Sequence, residues 1–399
     1  MSNADLATAK RAKKDEFYTQ YVDIQKEVEA YLEFDPDTFR DRVVYCNCDD
    51  PFESNFFKYF AANFNKLGLK NLITASYDGS PIAGGQLTFG EYGEGNGTRQ
   101  KPKAIALEIS EVTDVDGDGS TGIEDVKLFL ERNPHTRTPL AEGGDFRSRE
   151  CIELLKRADI VVSNPPFSLF KEYVAQLAEH GKKFLIIGNM QAITYLETFP
   201  LIKDNKMWLG PTIRSGDREF RVPDHYPLEA SSSRIDENGV KYIRVKGVRW
   251  YTNLDHGRRH QELPLMTMED NLRYSKHKEI KGKAAYDRYD NYDAIEVPFT
   301  DAIPSDYDGV MGVPITFLDK YNPDQFEIVG TLDSNDRGNA YRTRVYTSQE
   351  CRDAYFTRFG KPGVYDLNAA GVVNGVKVYK RITIRHRREN SKAARKTKK

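Results

Sequence analysis

From residue 42 to residue 190, short apolar runs alternate with longer stretches in which apolar residues recur every three or four positions. Val43-Val44-Tyr45-Cys46, Leu72-Ile73-Thr74-Ala75, Ala104-Ile105-Ala106-Leu107, Ile160-Val161-Val162 and Phe184-Leu185-Ile186-Ile187 are continuous and partly β-branched, which predicts buried strands. Helical patterns follow at Asn55–Phe60, Cys151–Arg157 and Leu169–Glu179. Strand alternating with helix predicts an α/β fold built on a parallel, doubly wound sheet, and Lys206-Met207-Trp208-Leu209 adds a strand to it. Ahead of the sheet, Phe17, Val22, Ile24, Val28, Tyr31 and Leu32 are spaced for one or two helices. Beyond residue 211 the pattern loosens. Short strands are predicted at Ala294–Val297, Gly312–Phe317 and Phe326–Gly330, loops and a helix over 331–366, and a terminal hairpin from Val376–Tyr379 and Arg381–Arg385.

One junction in this pattern carries chemistry. The run Ile160–Val162 stops at Asn164-Pro165-Pro166-Phe167. Two prolines remove two backbone donors and end the strand, and Pro165 turns Asn164 away from helical geometry. The result is a stiff turn at the carboxyl end of a strand, where ligands bind in open α/β sheets. Asn164 supplies a side-chain carbonyl, Pro165 a fixed backbone carbonyl and Phe167 a flat apolar face. Two acceptors and a stacking ring suit a planar group with an exocyclic amine, such as adenine. Asn-Pro-Pro-Phe resembles the catalytic motif of amino-group methyltransferases that use S-adenosylmethionine. The plainer reading is a strand-ending turn without chemistry.

Other stretches offer partners for such a cofactor. The first strand ends at Asn47 and runs into Cys48-Asp49-Asp50-Pro51-Phe52-Glu53-Ser54, where most cofactor-binding methyltransferases carry a Gly-rich loop. Asn47, Asp49 and Asp50 stand where the cofactor's ammonium or ribose hydroxyls would be received; equally, Asp50 before Pro51 caps a helix. Asp78 ends the second strand, the place of a ribose-binding acid, or else forms a turn with Gly79. Residues 79–103 are rich in Gly and polar residues and read as a long loop or hairpin. Phe17-Tyr18-Thr19 resembles the N-terminal motif lining the methionine end of the cofactor in adenine methyltransferases; a helix start packed on the core fits it too. Gly144-Asp145-Phe146 lies where these enzymes place the acid that accepts from the cofactor's adenine amine, with the aromatic beside the ring. The alternative for Asp145 is an acid at a helix N-terminus.

Asp114, Asp116, Asp118 and Asp125, with Gly119 between, resemble a single calcium loop whose last ligand is Asp rather than Glu. An Asx-rich turn inserted before a short helix accounts for the same residues. Arg214, Arg218 and Arg221, then Arg249 beside Trp250 and Tyr251, then Arg258 and Arg259, interleave cations with aromatics and Gly. That suits loops that hold phosphates and read bases; a solvated basic face with Trp250 in a local core is the competing reading.

Composition narrows the class. With 39% hydrophobic and 30% charged residues in 399, the chain is expected to be soluble and to hold two or three domains. It has no long apolar run for a membrane span, and its N-terminus lacks the apolar stretch of a secretory signal. Cys46, Cys48, Cys151 and Cys351 have neither zinc-site nor disulfide spacing, which points to the cytoplasm. A net charge of −1 confines any nucleic-acid surface to a patch.

Taken in order, Phe17-Tyr18-Thr19, Asp49 to Phe57, Gly144-Asp145-Phe146, Asn164-Pro165-Pro166-Phe167 and Phe317-Leu318-Asp319-Lys320-Tyr321-Asn322-Pro323 resemble the EcoRI-type adenine-specific DNA methyltransferase family, over about residues 10 to 388. The resemblance implies a Rossmann-like methyltransferase sheet, S-adenosylmethionine as donor, the N6 amine of a flipped adenine in double-stranded DNA as acceptor, and a restriction-modification setting in which a cognate endonuclease need not touch this chain. The expected layout is a helical segment over 1–40 contributing to the cofactor site and a catalytic domain over 41–210 with an acidic insertion near 114–125. A mixed, loop-rich target-recognition region follows over 211–385, and a disordered basic tail over 386–399. Methylation of an RNA adenine or a protein glutamine, and a non-catalytic DNA-binding protein on the same fold, are the alternatives.

Overall fold

The structure is a computed structural model that describes residues 19–48, 54–76, 104–114, 123–133, 137–214, 217–222, 233–333, 336 and 340–387. The described residues form two compact units. One runs to Phe199 and resumes over Met207–Gly257; the other comprises Pro200–Lys206 and the chain from Arg258. Residues 211–257, expected in the recognition region, therefore fall in the first unit.

In the first unit α1 (Tyr21–Leu32) precedes β1 (Val43–Asn47), α2 (Asn55–Ala62) and β2 (Asn71–Ala75). Then come β3 (Ile105–Ile109), α3 (Ile123–Arg132), β4 (Arg137–Pro139), α4 (Arg149–Arg157), β5 (Ile160–Ser163), α5 (Phe170–Glu179), β6 (Lys183–Asn189) and β7 (Trp208–Leu209). Strands β8 (Arg218–Arg221), β9 (Ser233–Ile235), β10 (Lys241–Val245) and β11 (Val248–Thr252) complete it. Eight strands make one sheet in the order β4-β3-β2-β1-β5-β6-β11-β7. The four central strands β2, β1, β5 and β6 are parallel. Outside them β3 runs antiparallel to β2 and to β4, and β11 runs antiparallel to β6 and β7.

The expectation of a parallel sheet is thus corrected to a mixed one. A parallel return needs a crossover, usually helical, whereas an antiparallel return does not. The sequence between β2 and β3 carries Gly and polar residues rather than a helical period. All five residues of β11 are buried, as a strand flanked on both sides and covered on both faces must be. Trp250 lies in the core edge-on to Phe56, ring centroids 5.8 Å apart, which settles it as a core residue. At Gly188 in β6 an added Cβ would come within 2.4 Å of the Phe170 ring, so the absence of a side chain lets α5 lie against the sheet. Helices start where polar caps allow: the Ser54 hydroxyl accepts from Phe56 N and Phe57 N, and Ser148 accepts from Cys151 N. A separate antiparallel sheet, β8-β10-β9, adds Phe220 and Ile243 to the same core.

The second unit holds α6 (Met268–Tyr274), β12 (Ile295–Glu296), β13 (Met311–Pro314), β14 (Phe326–Thr331), α7 (Ser348–Phe359), β15 (Val372–Val373), β16 (Val376–Lys377) and β17 (Arg381–His386). Its sheet runs β12-β13-β17-β14. The expected terminal hairpin is not formed. β16 pairs with β15, and β17 lies between β13 and β14, because its alternate residues Ile382 and Ile384 are fully buried. Glu296 accepts from Arg381 at 3.0 Å and 2.6 Å and from the Tyr289 hydroxyl, so a buried ion pair joins β12 to β17. No helix among the described residues is long and apolar enough to cross a membrane.

Candidate active site

The order β2-β1-β5-β6 makes the chain leave β1 toward β2 on one side, while β5 lies on the other. The carboxyl ends of β1 and β5 therefore flank a topological switch point, the crevice where open α/β sheets take ligands. Tyr45 pairs with Val161, which sets Asn47 level with Ser163, directly before Asn164-Pro165-Pro166-Phe167. The Ser163 hydroxyl donates to the Asn47 carbonyl and ties the two strand ends together. Asn47 is buried, and its side-chain oxygen accepts from Cys48 N at 2.9 Å and from the Tyr45 hydroxyl at 3.2 Å. Burial pushes the Tyr45 phenol well above its ordinary value, so it stays a donor. Cys48 then takes a left-handed conformation, φ +61°. A non-glycine residue in that region marks local strain, and it sits where a Gly-rich loop would otherwise turn the chain.

Asn164 is half-buried, Pro165 and Pro166 are buried, and Phe167 is half-buried against the core, opening a single 3₁₀ turn that leads into α5. Pro166 has φ −53° and ψ 124°, the stiff extended turn expected of it.

The N-terminal element reaches the same region through α2. The Asn55 side chain donates to the Thr19 carbonyl at 2.7 Å. Thr19 is buried and, among the described residues, its hydroxyl has no hydrogen-bond partner; the neighbouring Gln20 amide nitrogen is likewise buried and unpartnered among them. Buried polar groups are seldom left so. These two fit the polar methionine end of S-adenosylmethionine, which is rich in donors and acceptors. Phe17, Tyr18, Asp49, Asp50 and Asp78 lie outside the described residues.

Asp145 follows two glycines with φ of +72° and +70°, a backbone path that favours glycine. Its carboxylate accepts from Arg147 Nε at 2.9 Å and Nη2 at 2.7 Å, which holds the guanidinium above its ordinary pKa. Phe146 is buried edge-on to Tyr173, 5.0 Å between centroids, so it braces the acid from the core.

The basic residues divide. Arg249 is only 3% exposed and donates to the Val248 and Arg214 carbonyls at 2.9 Å and 2.7 Å. Arg259 is 6% exposed and donates to the Asn205 side chain at 2.5 Å. Both are corrected from DNA contacts to internal anchors. Sheet pairing on both sides of β11 accounts for Arg249. Arg218 is half-buried, with Asp23 3.8 Å away, whereas Arg214 and Arg221 are exposed and Arg258 is half-buried. Among the described residues no group of three or more His, Cys, Asp or Glu could hold a metal ion. Asp114 is exposed and Asp125 is buried in the first turn of α3, while Asp116 and Asp118 lie outside the described residues, so calcium gains no support.

Sequence reasoning missed Ser163, Asn55 and Glu27. Glu27 is fully buried; it accepts from the Tyr31 hydroxyl at 2.9 Å, from Thr212 N at 3.1 Å and from the Thr212 hydroxyl. Desolvation pushes its carboxyl up to about 7. Its signal was legible: with Ile24, Val28 and Tyr31 it lies on the apolar face of α1.

A family profile described as adenine-specific methyltransferase EcoRI matches residues 5–387. The Type II methyltransferase M.EcoRI of Escherichia coli is 46% identical over 334 residues, 82% of this chain and 89% of that protein. The Type II methyltransferase M.MpnI of Mycoplasma pneumoniae is 36% identical over 327 residues, 81% of this chain and 84% of that protein. No solved structure matches.

Proposed function

Since the chain belongs to the adenine-specific methyltransferase EcoRI family and is an adenine-specific methyltransferase, we propose that it methylates the N6 amine of a flipped adenine in double-stranded DNA. The donor, S-adenosylmethionine, supplies an electrophilic methyl group on a sulfonium. The parallel core β2-β1-β5-β6 is read as the Rossmann-like cradle for it, with Thr19, Asn47 and Asp145 at its wall; Phe17, Tyr18, Asp49, Asp50 and Asp78 remain cofactor contacts proposed from the sequence alone. Phe146 holds Asp145 in place from the core. The Asn164 side-chain oxygen and the Pro165 carbonyl accept from the two amine hydrogens. That would orient the nitrogen lone pair and stabilise the positive charge growing on it as the N–C bond forms and the sulfonium's S–C bond breaks to leave a neutral thioether; one amine proton is then lost to solvent. Phe167 stacks on the base, and Pro166 keeps the turn rigid. Extracting the base costs a few kcal/mol of stacking and pairing, which contacts to the flipped base and the DNA offset. Exposed Arg214 and Arg221, with Arg218 and Arg258, are the phosphate-contact candidates left from the sequence. A chain acting on host DNA works in the cytoplasm, and an endonuclease reading the same site would share the system without touching it.

The observation that carries this reading is the Asn164–Phe167 turn at the switch point, clamped to Asn47 through Ser163. Labelled S-adenosylmethionine incubated with unmethylated duplex DNA, with RNA and protein as competitors, tests it. N6-methyladenine at one recurring short sequence is expected. Asn164→Ala is expected to lower turnover by roughly 100-fold or more while cofactor binding stays intact. Transfer to RNA or protein alone, or undiminished turnover in the variant, would overturn the assignment.

A further inference from the structure

Helix α7 is unusual for a globular protein because it hides little. Of its twelve residues only Cys351 is buried. Phe356 is 59% exposed and Phe359 49%, and Val364 in the following loop stands out by 64%. Large apolar side chains exposed together mark a binding surface. The helix, the following loop and the β15–β16 hairpin form one layer around Tyr365. The Arg358 guanidinium lies 5.5 Å from the Tyr365 ring centroid and 5.7 Å from that of Phe359, and Lys377 Nζ lies 4.4 Å from Tyr365. Tyr365 N donates to the Cys351 carbonyl at 3.0 Å, and its hydroxyl accepts from Lys377 N at 3.1 Å.

Charge names the occupant. Residues 340–387 carry ten Lys and Arg against three Asp and Glu, in a chain whose net charge is −1, and four of those cations, Arg344, Lys380, Arg381 and Arg385, pair with Glu350, Asp333, Glu296 and Glu327. The three acids all have internal partners. Glu350 closes a capping box with Thr347 and pairs with Arg344, Asp353 accepts from Gln349, and Asp366 caps the turn at Asn368. The exposed cations Arg352, Arg358 and Lys361 are therefore not neutralised by them. A second copy of the chain is disfavoured, since a two-fold contact would bring like charge against like charge. A polyanion with flat apolar surface of its own fits both halves of the layer.

Resting on the reading of duplex DNA as substrate, we propose that the face formed by α7, the loop 360–366 and the β15–β16 hairpin is a DNA-docking surface. Arg352, Arg358 and Lys361 lie against phosphates, and Phe356 and Phe359 against sugars or bases. The sequence put phosphate contacts on Arg214, Arg218, Arg221, Arg249, Arg258 and Arg259, of which Arg249 and Arg259 are buried.

The test is a triple charge reversal, Arg352→Glu with Arg358→Glu and Lys361→Glu, and a milder Lys361→Glu, in the full chain. All three positions are exposed, and unchanged melting and cofactor binding would show both variants folded. Duplex binding is followed by fluorescence anisotropy between 50 and 300 mM salt. The triple variant is expected to bind on the order of 100-fold more weakly, with a salt slope shallower by about 2 to 3, since each phosphate contact contributes about 0.9. Lys361→Glu should show about one third of the slope change. Unchanged affinity and slope in a variant chain whose parent binds and methylates duplex DNA would overturn the surface alone. A parent that neither binds nor methylates duplex DNA would remove the functional reading and this surface with it. Self-association that the triple variant abolishes, with DNA affinity unchanged, would reassign the face to a second copy.

Discussion

Glu27→Gln separates charge from shape in the first unit. Glu27 is fully buried beneath Gly210–Thr212, where an added Cβ at Gly210 would meet its carboxylate oxygen within 2.0 Å. Its carboxyl titrates at about 7 in the folded chain against an ordinary 4.5, mainly through desolvation, with bonds from Thr212 and Tyr31 opposing the rise. Because the folded pKa lies above the unfolded one, the folded state holds the proton more tightly. Stability from this group is full below pH 4.5, falls as the pH rises toward about 7, and is level above it. At about 1.4 kcal/mol per pH unit the whole gap is worth about 3 kcal/mol. Gln keeps the size and offers one oxygen to Thr212 and one amide to the Tyr31 oxygen, which can turn to accept. Urea unfolding of both proteins at pH 5, 6, 7 and 8 measures the difference, in which every other titrating group cancels. The stability of Glu27→Gln relative to the parent should rise by roughly 2 to 3 kcal/mol across that range and then level off. A difference independent of pH would refute the burial argument.

Three further outcomes follow from packing. Gly188→Ala forces a methyl into the Phe170 ring and should cost about 1–3 kcal/mol, read as a lower Tm. Arg381→Met leaves the Glu296 carboxylate buried without its cation and should cost about 3–5 kcal/mol, visible in the unfolding of the second unit. Cys48→Val puts a β-branched residue at φ +61° and should cost roughly 1–2 kcal/mol while weakening cofactor binding in calorimetry. A Cys48→Val protein with unaltered melting would show that the turn relaxes freely.

Local pattern and long-range arrangement were not equally legible. The central strands could be read because β1, β2, β5 and β6 are continuous apolar runs, and burial on both faces demands such runs. Strand direction could not, because β3 looks the same in either orientation; only its partner decides, and β2 lies beyond the undescribed residues 77–103. β11 was misread for a different reason. Val248-Arg249-Trp250-Tyr251-Thr252 sets a cation beside two aromatics as a nucleic-acid loop would. Arg249 is nonetheless buried because its guanidinium reaches two backbone carbonyls, a solution that no one-dimensional pattern displays.

The same contrast runs through the site. Asn164-Pro165-Pro166-Phe167 announces itself because four adjacent residues carry both the chemistry and the stiffness it needs. What aims that turn is distributed. Ser163 reaches 116 residues back to the Asn47 carbonyl, and Asn55 reaches 36 residues back to Thr19. These bonds draw β5, β1 and the entry to α1 together without a glycine-rich loop. A left-handed Cys48 then makes the turn that glycine would make. Such positioning groups are small polar residues of types common in any sequence. Their role arises only when the sheet order β2-β1-β5 sets their strand ends side by side. A motif can name the reaction, but the precision with which a site meets an amine depends on residues that become neighbours only in the folded chain.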